Sequence, residues 1–374
     1  MEFCDLSQAI QAIMKEHRWS QQQLGAALGR TQSWASLVAS GKNDVGFGRL
    51  SRILGSVGYE LVIRRKPDEA EVKRRAFLAN VATVTLVPSA DGNPYRDPDY
   101  VSLLSDRVDK SIYSFGGLAT VQDATRHLRR AQKSTTGTKD TRLLSAASSL
   151  ARNVSVAHYD ARLLPQAQES GKLAVAFARA AGDHAGQARA LNELSMIYSY
   201  EGDGQRGERY ARQALTTPEI SPDQESRAYM RLGRALGLLN ERRHASTALD
   251  KAREVGDDIP DFQRANMIGG IGVALYEQSD WESAQDVLHE AVTLISPHSP
   301  LLGANYMARQ VQAALKASEP TQAAELMKPL GRIAPLIASV RLDGYLSEIM
   351  TLSTPWKDVP EIRSMREQLS TLLV

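Results

Sequence analysis

Residues 189–215 read RALNELSMIYSYEGDGQRGERYARQAL, and this stretch is one unit of a repeat that runs through the C-terminal part of the chain. It contains a predicted helix A, a turn at Glu201–Gly204 and a predicted helix B. The dipeptide Arg189-Ala190 recurs as Arg227-Ala228 and Arg264-Ala265, at spacings of 38 and 37 residues. The sequence therefore predicts consecutive pairs of helices.

A second series of small residues follows the same period. Gly207, Ala245, Ala284 and Ala323 succeed one another at spacings of 38, 39 and 39 residues. Small residues at fixed positions allow adjacent helices to approach closely. We expect five or six units between about 141 and 374, stacked into a superhelix whose concave face is built from the A helices.

These units resemble tetratricopeptide repeats, although their period exceeds the usual length of about 34 residues. The composition agrees with a helical protein that is large enough for two or three domains, because the chain has 374 residues, 43% of them hydrophobic.

A different pattern lies near the N-terminus, where residues 20–41 read SQQQLGAALGRTQSWASLVASG. Ser20 and Gln23 have the spacing of a capping box, in which each side chain binds the backbone amide of the other residue. Gly29 can end this helix, and a second helix is predicted from about Thr31 to Ser40. Two short helices joined by a tight turn are typical of a DNA-binding helix-turn-helix.

The order S-Q-x-x-L-x-x-x-L-G-x-T-Q, followed by S-G-K and L-x-x-I-L-G, resembles the XRE family of phage-repressor and Cro-type helix-turn-helix proteins. The resemblance covers residues 1 to about 65. It implies a small helical bundle that dimerises on a palindromic operator in double-stranded DNA. A short strand predicted at Tyr59–Arg65 resembles strands that pair across the dimer in HipB-type antitoxins; alternatively, it folds against its own domain.

The resemblance also implies which side chains contact DNA. Gln21 would hold a phosphate at the start of the first motif helix, and Gln32 can pair bidentately with adenine in the major groove. Trp34 can press on a thymine methyl group or be buried in the bundle. The candidate DNA contacts are Gln21, Arg30, Gln32, Ser33, Trp34, Ser36, Lys42 and Asn43. Alternatively, these polar residues are the solvated face of a small bundle.

Charge is distributed unevenly along the chain. Residues 1–75 carry 12 basic against 8 acidic side chains, a net charge of +4, and the remainder carries 33 against 35, a net charge of −2. The basic excess lies with the helix-turn-helix pattern, as phosphate binding requires.

A repeat array behind a repressor-type head resembles bacterial regulators whose repeats bind a signalling peptide or a small molecule. In those proteins, Asn and Arg side chains on A helices hold the ligand. The corresponding candidates by position are Asn192, Arg231, Asn266, Asn305, Tyr306 and Arg309. Alternatively, they are ordinary surface or inter-repeat residues, and the repeats offer a surface to a protein.

Several classes of chemistry are not indicated. Cys4 is the single cysteine, and the histidines are scattered without metal-ligand spacing. Gly269-Gly270-Ile271-Gly272 lies within a predicted helix, where close packing explains it better than phosphate binding. We therefore expect no catalytic residues, no metal and no cofactor. Without a long apolar run, we also expect no membrane span, and the single cysteine fits a reducing cytoplasm.

We thus predict an all-α protein with an N-terminal helix-turn-helix bundle, a possible short β-strand and a TPR-like α-solenoid. The predicted domains are 1–65 for DNA binding, 66–100 as a connecting segment and 101–374 as a sensor and dimerisation domain. The predicted function is transcription regulation as a homodimer. The alternatives are an antitoxin-like autoregulator and a scaffold whose repeats bind a protein.

Overall fold

The computed structural model describes residues 11, 14–15, 19–27, 31–33, 36 and 93–373. The chain divides into two compact units, Met1–Thr85 and Leu86–Val374. Every regular element in the described part is an α-helix or a 3-10 helix, so the prediction of a helical protein is confirmed there. The predicted strand at Tyr59–Arg65 lies outside the described residues.

In the first unit, helix α1 spans Gln21–Ala27. The backbone N–H of Ser20 donates to Gln23 Oε1 at 2.8 Å, and the backbone N–H of Gln23 donates to Ser20 Oγ at 3.3 Å. The predicted capping box is therefore confirmed. Leu24, on the first turn of this helix, is fully buried.

The second unit consists of consecutive helix pairs. Its helices are α2 (Pro98–Phe115), α3 (Val121–Ser134), α4 (Thr141–Asp160), α5 (Leu164–Ala181), α6 (His184–Tyr200), α7 (Gly204–Leu215), α8 (Pro222–Leu238), α9 (Arg242–Val255), α10 (Asp261–Glu277), α11 (Trp281–Ile295), α12 (Pro300–Lys316), α13 (Pro320–Ile333), α14 (Val340–Leu352) and α15 (Pro360–Ser370). Short 3-10 helices lie at Pro94–Arg96, Ala334–Leu336 and Thr354–Trp356. The even-numbered helices are A helices and the odd-numbered ones B helices. Six pairs follow residue 141, as the repeat period predicts, and α2 with α3 adds one more.

Several turns between an A helix and its B helix contain a residue with a positive φ. Gly202 has a φ of 84°, and Asn240, Ser279 and Ser318 have φ values of 62°, 65° and 65° at the equivalent points. A residue in the left-handed conformation ends helix A and lets the chain reverse direction within a few residues. This explains why the turns predicted from the sequence are short. In two of these turns an aspartate caps helix B: Asp203 accepts from the backbone N–H of Arg206 at 2.8 Å, and Asp280 accepts from that of Ser283 at 3.3 Å.

The periodic small residues are buried. Ala228 and Ala265 of the A series, and Ala245 and Ala284 of the B series, have no exposed surface. At Gly207, an added Cβ would collide with the Ser199 hydroxyl. The prediction that these positions permit close helix approach is therefore confirmed.

The A helices form the inner layer, because each packs on the next A helix, and the array then closes on itself. Helix α2 contacts α12, and α4 contacts α14. The Ala338 N–H donates to the Phe115 carbonyl at 2.7 Å, and the Leu118 N–H donates to the Ala338 carbonyl at 3.1 Å. One apolar core cluster contains residues from both ends of the array. The repeats of this unit thus make a closed ring, which the predicted superhelix did not specify.

Candidate functional site

The inner faces of the A helices enclose a cavity of about 60 Å³, which we call the lumen. Its lining includes Tyr113, Tyr159, Asp160, Glu193, Met196, Arg227, Arg231, Arg234, Asn266, Asn305, Tyr306, Arg309, Arg341 and Tyr345. Five arginines and two carboxylates are among these residues, so the lumen is basic although the unit as a whole is not.

Arg234 is held by a bidentate ion pair. Its Nε and NH2 atoms donate to the two carboxylate oxygens of Glu277 at 2.7 and 2.6 Å. Burial lowers the pKa of Arg234, but the Glu277 carboxylate outweighs this and raises the pKa above its usual value. The pair ties α8 to α10, so this arginine has a structural partner.

Arg341 belongs to a buried polar cluster at the ring closure. Asp160, which is fully buried, accepts from Arg341 Nε at 3.2 Å and from Ser339 Oγ at 2.8 Å. The backbone N–H of Gly117 donates to the other Asp160 oxygen at 2.7 Å. The Arg341 guanidinium also lies over the Tyr159 ring, 4.7 Å from its centroid. One carboxylate therefore joins three separate segments of the chain.

Arg309 lies between two aromatic rings, 4.8 Å from the centroid of Tyr276 and 4.1 Å from that of Tyr345. Its NH1 donates to Gln312 Oε1 at 2.6 Å and to Glu348 Oε2 at 3.3 Å. Within the described part of the chain, the Nε of Arg309 has no hydrogen-bond partner. This arginine is thus oriented by stacking and by one carboxylate.

Arg227 shares the Glu193 carboxylate with a second arginine. The NH1 atoms of Arg227 and Arg152 lie 3.5 and 3.8 Å from Glu193 Oε1. Arg152 also lies 3.6 Å from Asp109 Oδ1. These ion pairs are weaker than the Arg234–Glu277 pair, because their distances are longer and two arginines share one carboxylate. Each of the two arginines nevertheless has a carboxylate beside it.

Arg231 differs from the other lumen arginines. The residue is only 7% exposed, and among the described residues it forms no ion pair. Its NH2 contacts the Met196 sulfur at 3.2 Å, and its Nε has no partner. Burial lowers the pKa of Arg231; Glu193 opposes this effect, and Arg227 adds to it. An uncompensated buried charge is costly, so this guanidinium is the least satisfied group of the lumen.

Five of the six predicted ligand-binding residues are brought together at the lumen: Arg231, Asn266, Asn305, Tyr306 and Arg309. They are not free of internal contacts. Tyr306 Oη donates to Asn266 Oδ1 at 2.6 Å, and Asn305 Nδ2 donates to the Leu301 carbonyl at 2.8 Å.

Asn192, the sixth candidate, lies between two repeats. Its Nδ2 donates at 3.1 Å to the carbonyl oxygen and to Oε1 of Gln224, which links α6 to α8. Asn192 is not among the residues lining the lumen. Its contacts are those of an inter-repeat residue, the alternative that the sequence had left open.

Sequence reasoning missed Asp160, Arg341 and Tyr345. None of them recurs with the repeat period, and Asp160 lies 181 residues from Arg341. The sequence offers only a weak indication that Asp160 is buried: it ends a helix whose preceding residues are mostly small or apolar. Only closure of the ring brings these side chains together.

The described part of the first unit contains four of the predicted DNA contacts. Gln21, Gln32 and Ser33 are exposed helical residues, and Ser36 is half-buried. The other predicted contacts, Arg30, Trp34, Lys42 and Asn43, lie outside the described residues.

The described residues contain no group of three or more His, Cys, Asp or Glu side chains arranged to hold a metal ion. None of their helices combines the length and the apolar character needed to cross a membrane.

Comparisons with known proteins give structural likenesses only. No protein-family model matches the chain, and no curated protein matches it. Similar solved structures include the APC/C hetero-tetramer Cut9-Hcn1, at 12% identity over 97% of this chain and 69% of that chain, with a TM-score of 0.36. The TPR2AB-domain:pHSP90-complex of yeast Sti1 is 15% identical over 72% of this chain and 99% of that chain, with a TM-score of 0.22.

The P58(IPK) TPR domain is 11% identical over 98% of each chain, with a TM-score of 0.25. With such low TM-scores, these likenesses add nothing to what the helix pairs themselves show. The second unit is an α-helical repeat array, built from helix pairs with a period of 37 to 39 residues.

Proposed function

We propose that the chain is a sequence-specific DNA-binding regulator of transcription whose repeat unit binds a small ligand. The observation that carries this proposal is the Ser20–Gln23 capping box, which begins helix α1 at the position where the sequence predicts the first helix of the helix-turn-helix motif. The exposed helical side chains of Gln32 and Ser33 then have the character expected at the start of a recognition helix.

In this proposal the protein acts in the cytoplasm as a homodimer on a palindromic operator. Two recognition helices would enter successive major grooves about 34 Å apart. A ligand changes operator affinity only if it binds one arrangement of the dimer more tightly than another.

The shape of the repeat unit favours a compact ligand over a signalling peptide. A peptide needs an open groove, whereas the repeats close through the Ala338 hydrogen bonds to Phe115 and Leu118. The lumen, at about 60 Å³, is far smaller than a drug-sized pocket, which typically has about 300–1,000 Å³.

The DNA-binding part is tested by sequencing genomic DNA that is captured by the full chain, followed by mobility shifts on the enriched site. The wild-type protein should bind that site more tightly than a variant site in which the contacted base is changed. Gln32→Ala should reduce this difference in binding free energy by about 1–3 kcal/mol. Gln22→Ala, an exposed glutamine outside the predicted contacts, is the matched control. Absence of an enriched sequence, or equal discrimination by both variants, would contradict the proposal.

A second candidate function is binding of a protein partner, either as a scaffold or as an antitoxin-like regulator that holds a toxin. It is favoured by exposed apolar side chains beside the ring closure: Phe115, Leu118 and Leu336 are 58%, 47% and 69% exposed. Exposed apolar patches often mark protein interaction sites.

The two functions are separated by purification of the full chain from its native host. A stoichiometric protein that is released by Leu336→Ser, but retained by Leu294→Ser, would favour the scaffold. Leu294 is a suitable control because it is also exposed, at 41%, and lies on a different element, helix α11. A chain that purifies alone would favour the ligand-binding regulator.

A further inference from the structure

We infer that the lumen binds a compact anion, a carboxylate or phosphate group, on the guanidinium of Arg231. This inference names the ligand class of the proposed function and rests on its ligand-binding part. The site is formed by the A helices of the second unit, and Arg231 lies near the middle of helix α8.

The charge balance of the lumen favours an anionic ligand. Arg234 pairs with Glu277, Arg341 with Asp160, Arg309 with Glu348, and Arg227 shares Glu193. Each of these four arginines thus has a carboxylate within 4 Å, and within the described chain Arg231 has none. The lumen therefore holds one positive charge more than its internal pairs neutralise.

The contacts of Arg231 do not replace a carboxylate. The Met196 sulfur, 3.2 Å from NH2, is a weak hydrogen-bond acceptor, and Nε has no acceptor among the described residues. The positive side chain of Arg227, one turn earlier on α8, further disfavours the charged form of Arg231. A planar guanidinium has the geometry to bind carboxylate or phosphate bidentately, which would satisfy it.

The dimensions of the lumen restrict the ligand. A cavity of about 60 Å³ accommodates an anionic group with a few attached atoms, and it excludes a folded or extended peptide. Tyr113, Tyr306 and Tyr345 form part of the wall, so the atoms attached to the anion would contact aromatic surface.

The test is calorimetric titration of the full chain with inorganic phosphate and, separately, with acetate, at constant ionic strength set with sodium chloride. We expect saturable binding of one anion per chain. Arg231→Gln should weaken it at least tenfold, whereas Arg253→Gln, at an exposed arginine of helix α9, should leave it unchanged. Binding of phosphate alone would assign a phosphorylated ligand, binding of acetate alone a carboxylate ligand, and binding of both a shared anion site.

Thermal unfolding distinguishes a binding role from a structural one. Without added anion, Arg231→Gln should melt at or above the wild-type temperature, because the substitution removes an uncompensated buried charge. With the anion that binds, the wild-type chain and Arg253→Gln should gain melting temperature and Arg231→Gln should not. No binding of either anion, equal affinity in Arg231→Gln, or a marked loss of stability in that variant without anion would overturn the inference.

Operator binding is measured independently on the same variants. Anion binding without operator binding would contradict the DNA-binding proposal and leave the anion site standing. Operator binding without anion binding would contradict the anion site alone.

Discussion

The Asp160 carboxylate accepts a hydrogen bond from Arg341 Nε at 3.2 Å, although the two residues lie 181 positions apart in the sequence. Asp160 ends helix α4, and Arg341 begins helix α14. Their contact therefore joins an early repeat to the last one. Since both side chains are almost fully buried, we expect the pair to contribute to the stability of the closed ring.

Asp160→Asn should destabilise the second unit by about 3 kcal/mol, because it leaves the Arg341 guanidinium buried without its carboxylate. The measurement is urea unfolding monitored by circular dichroism. Asp123→Asn, which removes a solvent-exposed partner of Arg126, should cost less than about 1 kcal/mol.

The pairing itself is tested by a double-mutant cycle. If Asp160 and Arg341 act together, Asp160→Asn combined with Arg341→Met should cost less than the sum of the single changes, by about 0.5–3 kcal/mol. Strict additivity would show that Asp160 acts through its bonds to Gly117 and Ser339 instead.

Gly269→Ala should be destabilising by about 1–3 kcal/mol, because the added methyl group would collide with the Tyr306 ring. Displacement of that ring would also strain the hydrogen bond from Tyr306 to Asn266 at the lumen. Gly344→Ala is the matched control: its nearest neighbour is the end of the Arg162 side chain, 3.2 Å away. This control should be stabilising by up to about 1 kcal/mol through helix propensity. Equal effects of the two changes would refute the packing argument.

His158 should make stability depend on pH. Burial lowers the pKa of His158 to about 4, and Arg129 adds to this effect. Thr125 Oγ1 donates to the Val121 carbonyl at 2.6 Å, so His158 Nε2, 2.9 Å from that oxygen, is the donor of their shared bond. The folded protein thus holds the neutral ring.

The unfolded chain takes up the proton near pH 6.5, whereas the folded one does so only near pH 4. The contribution to stability is therefore complete above pH 6.5 and is lost as the pH falls toward 4, with a slope of at most about 1.4 kcal/mol per pH unit. Urea unfolding at pH 7, 6 and 5 should show a weaker slope for His158→Gln. The exposed-site variant His244→Gln should keep the wild-type slope, and an unchanged slope in both variants would count against His158.

Substitutions at two of the turn residues with positive φ should change the stability of the protein in opposite directions. Gly202→Ala should destabilise by about 1–2 kcal/mol, because a φ of 84° is unfavourable for a residue with a Cβ. Ser279→Gly, at the equivalent turn with a φ of 65°, should be neutral or stabilising by less than about 1 kcal/mol. Thermal unfolding of both variants measures the effects, and a stabilising Gly202→Ala would disprove the equivalence of the turns.

The predictions that the structure confirms are local or periodic. The Ser20–Gln23 capping box depends on residues three positions apart, and the Ala245 and Ala284 series depends on one packing geometry repeated in each unit. Gly269, Gly270 and Gly272 were attributed to close helix packing, and added Cβ atoms there would collide with Tyr306, Met230 and Leu288.

The helix pairs, their turns and the small residues between them follow from the amino-acid sequence, because they depend on near neighbours and a constant period. Closure of the array, the contact of Asp160 with Arg341, and the lack of a carboxylate beside Arg231 among the described residues arise from the three-dimensional arrangement. They do so because the small rotation between successive pairs accumulates over the whole array. The partner of a buried charge depends on that accumulated curvature, which no single unit of the sequence encodes.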